Sequence, residues 1–320
     1  MTRAKARGGI DLGGTKIQTV IVNRRNEVLG KERVETPRKG GPKAIAAAMA
    51  DCLRGASEGA GYATGDLTGV GVGSPGDVDG PAGTVSGAKN LSGWSRSFPL
   101  AATLGDALGT PVAIGNDVQV ATTAEFELGA GRPYDSILGV FWGTGVGGGI
   151  VLDGKDWLGR GAAGEIGHMV VKRGGRRCPC GNKGCMEAYA GRAAMEARAR
   201  KLAGKGRETA LFELMEGKGK DRLTSSVWAK AVKRDDQLAV KLIDDAVKAL
   251  GAAIASAVNL LDIEAVILGG GLGIRFGELY GPEIERRTRK NLFDADDPPA
   301  FHVAELGDLG GAVGAALLVK

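Results

Sequence analysis

Three of the four cysteines in this chain fall within the eight residues CPCGNKGC, as Cys178, Cys180 and Cys185. Three thiolates are one ligand short of a tetrahedral metal site. The chain has only two histidines, and one of them, His168, stands nine intervening residues before Cys178. The set H-x9-C-x-C-x4-C thus offers a full Cys3His complement suited to Zn2+. Four protein ligands leave no open position, so such an ion is structural and not catalytic. Gly181 and Gly184 give the loop freedom to fold back on the ion. If the metal takes one ring nitrogen of His168, the other keeps its proton and must donate it. Two acids flank the cluster: Glu165, three before His168, and Glu187, two after Cys185. An imidazole donor beside two carboxylate acceptors suits a ligand rich in hydroxyls. The plain alternative is a pair of surface or helix-capping acids.

A second group of residues suits phosphate. Asp11-Leu12-Gly13-Gly14-Thr15-Lys16 joins two expected strands by a Gly-Gly turn. Glycines let backbone amides approach phosphate oxygens, Thr15 can add a hydroxyl, and Asp11 could orient Mg2+ through water. The GxxxxGK[ST] spacing of a P-loop is absent. Gly143-Thr144-Gly145 opens a second glycine-rich turn of the same kind, and Gly269-Gly270-Gly271 follows a buried strand, where a flat base could lie against backbone. Each turn alone is explained by a loop; two at matching places look like two jaws on a phosphate chain. Asn116-Asp117 ends another strand. An acid there is commonly an N-cap; the functional alternative is a general base accepting a hydroxyl proton during phosphoryl transfer.

These residues need a frame. Strands are expected over residues 9–13, 16–22, 28–36, 67–76 and 111–117, with helices from Pro42 to about Leu53, over 100–108 and over 118–128. Residues 136–154 repeat the opening scheme of strand, glycine turn and strand, which suggests two domains on one plan. Residues 186–261 read as mostly helical, with the stretch around Ile254 apolar all round and so buried in a core or a subunit interface. A buried strand over 264–271 and a small-residue helix over 307–319 complete the chain. Cys52 reads as a small buried hydrophobe.

Composition is that of an ordinary globular protein: 320 residues, 43% hydrophobic and 25% charged, but with 55 glycines and no collagen period. A net charge of +5 is scattered and without interleaved aromatics, so a nucleic-acid partner is not expected. No apolar run is long enough to span a membrane, and the basic start leads into Gly8 without a signal-like core. A cytoplasmic setting is the expectation, which also favours metal over disulfides.

Taken together these segments resemble the ROK family of sugar kinases and related repressors, of the actin-like ATPase (ribonuclease H-like) α/β fold. The resemblance rests on DLGGTK (11–16), GVGSPG (71–76), Lys89-Asn90-Leu91 to Trp94, GND (115–117), GTGVGGG (143–149), GEIGH (164–168), CPCGNKGCME (178–187) and LGGG (268–271). It implies an N-terminal domain over 1–120 joined by the C-terminal helix 306–320, and a larger domain with the zinc loop over 121–305. It implies Asp117 as catalytic base, with Gly76, Asn90, Asn116, Asp117, Glu165, His168 and Glu187 lining a sugar site in the interdomain cleft. The turns at Asp11 to Lys16 and Gly143 to Gly145 would hold ATP with Mg2+, and Gly269 to Gly271 the adenosine. His168, Cys178, Cys180 and Cys185 would hold one structural Zn2+. GEIGH with a full zinc motif is most like the glucose-phosphorylating members. N-acetylhexosamine (GlcNAc or ManNAc) kinases share most of the pattern, some relatives use polyphosphate as donor, and a non-catalytic sugar-sensing regulator is the rival of another class. Family repressors carry an N-terminal helix-turn-helix, for which the lead before Asp11 is too short. A homodimer or homotetramer is expected.

Overall fold

The structure is a computed structural model and describes residues 5–88 and 91–319. The chain divides into two compact units: Met1–Arg132 with Leu158–Gly161 and Glu305–Lys320, and Pro133–Trp157 with Ala162–Ala304. A boundary at residue 120 would cut a helix that lies whole within the first unit.

The first unit is built on β1 (Arg7–Leu12), β2 (Lys16–Val22), β3 (Val28–Glu35), β4 (Val70–Ser74) and β7 (Val112–Asn116), in sheet order β3-β2-β1-β4-β7. A short hairpin, β5 (Asp77–Asp79) and β6 (Thr84–Ser86), stands apart from this sheet. The helices are α1 (Gly41–Gly59), α2 (Leu100–Leu108), α3 (Asp117–Leu128) and α10, the last helix of the chain (Gly310–Leu317). Strand alternation sorts side chains to two faces. Ile10, Leu12, Ile17 and Ile21 enter the core beneath α1 and α2, and Thr19 bonds Cys52 of α1, which is buried as expected. Val20 and Val22 meet Ala312 and Ala316 of α10 on the other face. Asp11 falls out of phase with Ile10 and Leu12, and so reaches Gly311 in the first turn of α10. That helix can lie so close because Gly9 and Gly71 carry no Cβ: one at either position would overlap the carbonyl of Ala312 or Ala315.

The second unit repeats the sheet. β8 (Ile137–Trp142), β9 (Val146–Leu152), β10 (Lys155–Asp156), β11 (Ala265–Gly269) and β12 (Ala300–Val303) run in the order β10-β9-β8-β11-β12. Both sheets pair an antiparallel meander with two parallel strands. The duplicated plan read from the two glycine turns is therefore present. Between β10 and β11 come α4 (Glu187–Ala190), α5 (Arg192–Ala203), α6 (Leu211–Glu216), α7 (Ser225–Lys233) and α8 (Gln237–Leu261). Helix α9 (Gly270–Arg289), with Pro282 inside it, follows β11 directly, where no helix was expected. Ile254 of α8 is fully buried in the core of this unit. Its apolar surroundings are thus explained within one chain, and the expectation of a homodimer or homotetramer rests on the resemblance alone. Among the described residues no helix is long and apolar enough to cross a membrane.

Glu125 of α3 is 3% exposed, and its carboxylate accepts from the backbone amides of Ala130 (3.2 Å), Glu305 (3.1 Å) and Leu306 (2.9 Å). It thereby ties the end of α3 to the segment leading into α10. Glu125→Ala leaves three inward amides without acceptors, and is expected to lower the unfolding free energy by about 2–4 kcal/mol in urea titration. A loss under about 0.5 kcal/mol, the range of neutral surface changes, would contradict that role.

Candidate active site and metal centre

The cysteine-bearing loop is a small hairpin. Arg177 pairs with Lys183 and Val170 with Cys185, and the Cys178 amide donates to the Asn182 carbonyl (2.9 Å). Gly181 and Gly184 take φ of 102° and 87°, conformations that side chains disfavour, and a Cβ on Gly184 would also overlap the Lys172 carbonyl. This fold brings one donor atom each from His168, Cys178, Cys180 and Cys185 within 4.8 Å of one another. His168 Nδ1 is 3.6 Å from Cys178 Sγ, and Cys180 Sγ is 3.7 Å from Cys185 Sγ. An ion with bonds of ~2.3 Å to sulfur and ~2.0 Å to nitrogen has tetrahedral edges of about 3.5–3.8 Å, and both separations fall in that range. Burial pushes the Cys178 thiol up to about 12 and raises that of Cys185, whereas a backbone hydrogen bond at Asn182 lowers that of Cys180. Two thiolates that burial disfavours are what a divalent cation would stabilise.

The geometry also settles which ring nitrogen faces the thiols. It is Nδ1, so Nε2 points away, with Glu165 Oε2 3.8 Å from it. Glu165 is exposed, ahead of the short turn Ile166–His168. Glu187 opens α4 and does more than the sequence suggested. Its Oε2 accepts from the Val146 amide at 3.0 Å and occupies the place that a Cβ on Gly145 would fill. One carboxylate thus links the metal hairpin to the second glycine turn. Arg176 donates to Asp245 of α8 (2.6 Å) and lies over the Tyr189 ring. It anchors the hairpin to α8, a role hidden in the sequence because Asp245 lies 69 residues away.

On the first unit the N-cap of α3 falls on Asn116 and not on Asp117. Asn116 is the N-cap: its Oδ1 accepts from the amides of Val118 (3.0 Å) and Gln119 (3.1 Å). Asp117 is the first residue of α3 and half-buried, with Oδ1 accepting from Val118 (2.9 Å). Gly76 follows β4 in a left-handed conformation (φ 100°) against the Ser86 carbonyl. Asn90 lies outside the described residues.

In the first glycine turn the Gly13 amide donates to the Lys16 carbonyl (2.9 Å), and Gly14 and Thr15 are exposed. Lys16 Nζ donates to Gln18 (3.0 Å) and lies 3.7 Å from Asp308. Burial raises the Asp11 carboxyl above its ordinary value; Lys16 opposes the rise and Asp308 adds to it. An acid whose carboxylate is disfavoured by burial, with Lys16 offsetting the cost only in part, suits the place of a cation or its bound water. In the second turn Thr144 is exposed, and its hydroxyl accepts from Arg192 (2.8 Å). The third glycine run behaves differently from the open platform expected. A Cβ on Gly269 would lie 2.6 Å from the Phe141 ring, and one on Gly270 would lie 2.7 Å from the Trp142 carbonyl. Packing demands both, and only Gly271, in the first turn of α9, is exposed.

The family model described as ROK family matches residues 7–320. The chain belongs to the ROK family. Its relatives agree along nearly their whole length. A glucokinase of Halalkalibacterium halodurans is 33% identical over 314 residues, covering 98% of this chain and 94% of that protein. An N-acetylgalactosamine kinase of Shewanella sp. is 33% identical over 319 residues, covering 97% and 95%. The solved structure of a ROK family glucokinase from Streptomyces griseus, in complex with glucose and AMPPNP, matches with a TM-score of 0.83 at 34% identity. That likeness covers 98% of this chain and 99% of the other. This ROK chain therefore has the actin-like ATPase fold, with two units of mixed α/β structure, as its sequence segments implied.

Asp11→Asn tests the electrostatics of the first turn. A raised carboxyl pKa means that ionisation costs the folded state more than the unfolded one. That cost is absent below the ordinary value of 3.8, grows as pH rises toward the raised value, and is full above it. The Asn variant is expected to melt higher than the parent at pH 7, by an advantage that shrinks as pH falls toward 4. A variant that melts lower at pH 7 would refute the assignment.

Proposed function

We propose that this ROK chain is an ATP-dependent hexose kinase acting on glucose at its 6-hydroxyl. The observation that carries the reading is the orientation of His168: Nδ1 lies 3.6 Å from Cys178 Sγ, within the Cys3His cluster, so Nε2 is left to donate beside Glu165. A ring held this way, with carboxylates around it, recognises a run of hydroxyls by alternating donors and acceptors. The Streptomyces griseus relative, whose structure contains glucose and AMPPNP, supports the same substrates here. The ion at the Cys3His set is Zn2+ in this proposal. When bound it supplies a fixed ring orientation and no open coordination position.

In this scheme His168 Nε2 donates to one sugar hydroxyl, and Glu165 and the Oε1 side of Glu187 accept from others. Asn116, its carbonyl end spent on capping α3, offers its Nδ2 to the substrate, and Asn90 and Gly76 complete the set. Asp117 takes the proton of the 6-hydroxyl. A loose phosphoryl-transfer transition state needs that proton removed late, so position matters more than basicity. The amides of the turns at Gly13 to Lys16 and Gly143 to Gly145 hold the donor phosphates, with Gly271 as the exposed glycine left for the adenosine. Mg2+, held through Asp11, supplies charge neutralisation for the phosphates when bound. A cytoplasmic setting belongs to the same proposal.

N-acetylhexosamine phosphorylation is the second reading, supported by the Shewanella relative at equal identity. A coupled ADP-release assay over glucose, mannose, N-acetylglucosamine and N-acetylmannosamine separates the two. Glucose is expected to give the highest kcat/KM. A preference for an N-acetyl sugar favours the second reading, and no turnover on any sugar favours a sensor.

Asp117→Ala is expected to cut kcat by at least about a hundredfold, the usual worth of a general base, while glucose affinity measured by calorimetry changes little. Unchanged turnover would remove Asp117 from the role. Metal analysis should find about one zinc per chain, and Cys180→Ser should lose both the zinc and most of the glucose affinity. Zinc-free protein that binds glucose normally would sever that link.

A further inference from the structure

The second glycine turn is gripped from one side by the start of α5. The first amides of a helix have no acceptor within it. Here the Arg192 amide donates to the Gly143 carbonyl (3.1 Å), and the Ala193 amide to the Thr144 carbonyl (3.0 Å). The Arg192 side chain adds two more contacts: Nη2 donates to Thr144 Oγ1 (2.8 Å) and Nη1 to the Leu223 carbonyl (2.9 Å). The guanidinium therefore spans from the loop before α7 to the tip of the turn.

This grip sets the direction of the turn's own donors. A trans peptide is planar, so its N–H points opposite to its C=O. With the Gly143 and Thr144 carbonyls aimed at α5, the amides of Thr144 and Gly145 must point away from it. Neither amide has an acceptor among the described residues. The next amide, that of Val146, is taken by Glu187. Two successive outward amides at an exposed tip form a small concavity for an anionic oxygen. We propose that Arg192 is a positioning residue for the phosphate donor: its guanidinium holds the Thr144 hydroxyl and its amide the Gly143 carbonyl, so that the Thr144 and Gly145 amides stay aimed at phosphate oxygens. The inference deepens the kinase reading and rests on it for the identity of the anion. It adds a residue outside the glycine motif, one that touches the turn and not the sugar-gripping groups.

The test compares Arg192→Ala, Arg192→Lys, Thr144→Val and the Ala/Val double variant with the parent chain. Two readouts are taken: KM values for ATP and glucose, and calorimetric binding of Mg-AMPPNP. Losing a charge-assisted contact predicts about a tenfold rise in the KM for ATP in Arg192→Ala, with the KM for glucose and the melting temperature unchanged. Lysine, which can still donate to Thr144, should recover part of the loss. The double variant should be no weaker toward nucleotide than Arg192→Ala, because the arginine acts through Thr144. An unchanged KM for ATP, an equal rise in both KM values with a lower melting temperature, or additive losses in the double variant would each overturn the proposal. If the parent chain phosphorylates no sugar, the kinase reading fails while Mg-AMPPNP affinity across the four proteins still decides the role of Arg192.

Discussion

Four donor atoms within 4.8 Å of one another, two of their separations at 3.6 and 3.7 Å, are the constraint on which the second unit's polar arrangement turns. Cys178 and Cys185 are buried thiols, and burial alone opposes the charged form in which they would ligate. A divalent cation held by the four donors would reverse that preference. Such an ion would fix the ring of His168 by its Nδ1 side and leave Nε2 for another partner. Arg176 carries the constraint outward by pinning the hairpin to α8 through Asp245. Glu187 carries it to the second glycine turn through the Val146 amide. The Cys3His hairpin and the second glycine turn are thus parts of one connected arrangement of polar contacts.

The glycines of this chain owe their places to several causes. Gly184 needs a left-handed backbone and a clear approach to Lys172. Gly145 gives up its Cβ to a carboxylate, Gly269 to an aromatic ring, and Gly9 and Gly71 to the backbone of α10. Gly143 has nothing within 4 Å of where its Cβ would stand, so its side stays open. Only this last kind resembles the open phosphate-binding glycine that a motif suggests. A glycine in such a motif can therefore report close packing in place of a ligand.

Much of the frame was legible because strand alternation is strong. The expected strand over 16–22 matches β2, and that over 28–36 ends one residue beyond β3. The duplicated sheet followed from two similar turns. Helix α9 was missed because its glycines and Pro282 mask its period, and the β5–β6 hairpin because each strand has three residues. At the site, the Cys3His set was readable since its spacing is local. The roles of Glu125, Arg176 and Arg192 were not, because their partners lie 180, 69 and 48 residues away. Asn116 and Asp117 were found together, yet the capping role falls on the asparagine, which is a matter of where the helix begins and not of residue type.

The central claim is that a metal held by three thiolates and His168 Nδ1 leaves Nε2 to grip a sugar. Anomalous diffraction at the zinc edge, from crystals grown with glucose and AMPPNP, addresses it most directly. The account predicts one strong peak about 2.0 Å from His168 Nδ1 and ~2.3 Å from each of the three sulfurs, with a glucose hydroxyl within hydrogen-bond reach of Nε2. A peak bonded through Nε2, or glucose bound away from His168 with no peak at the thiols, would contradict it.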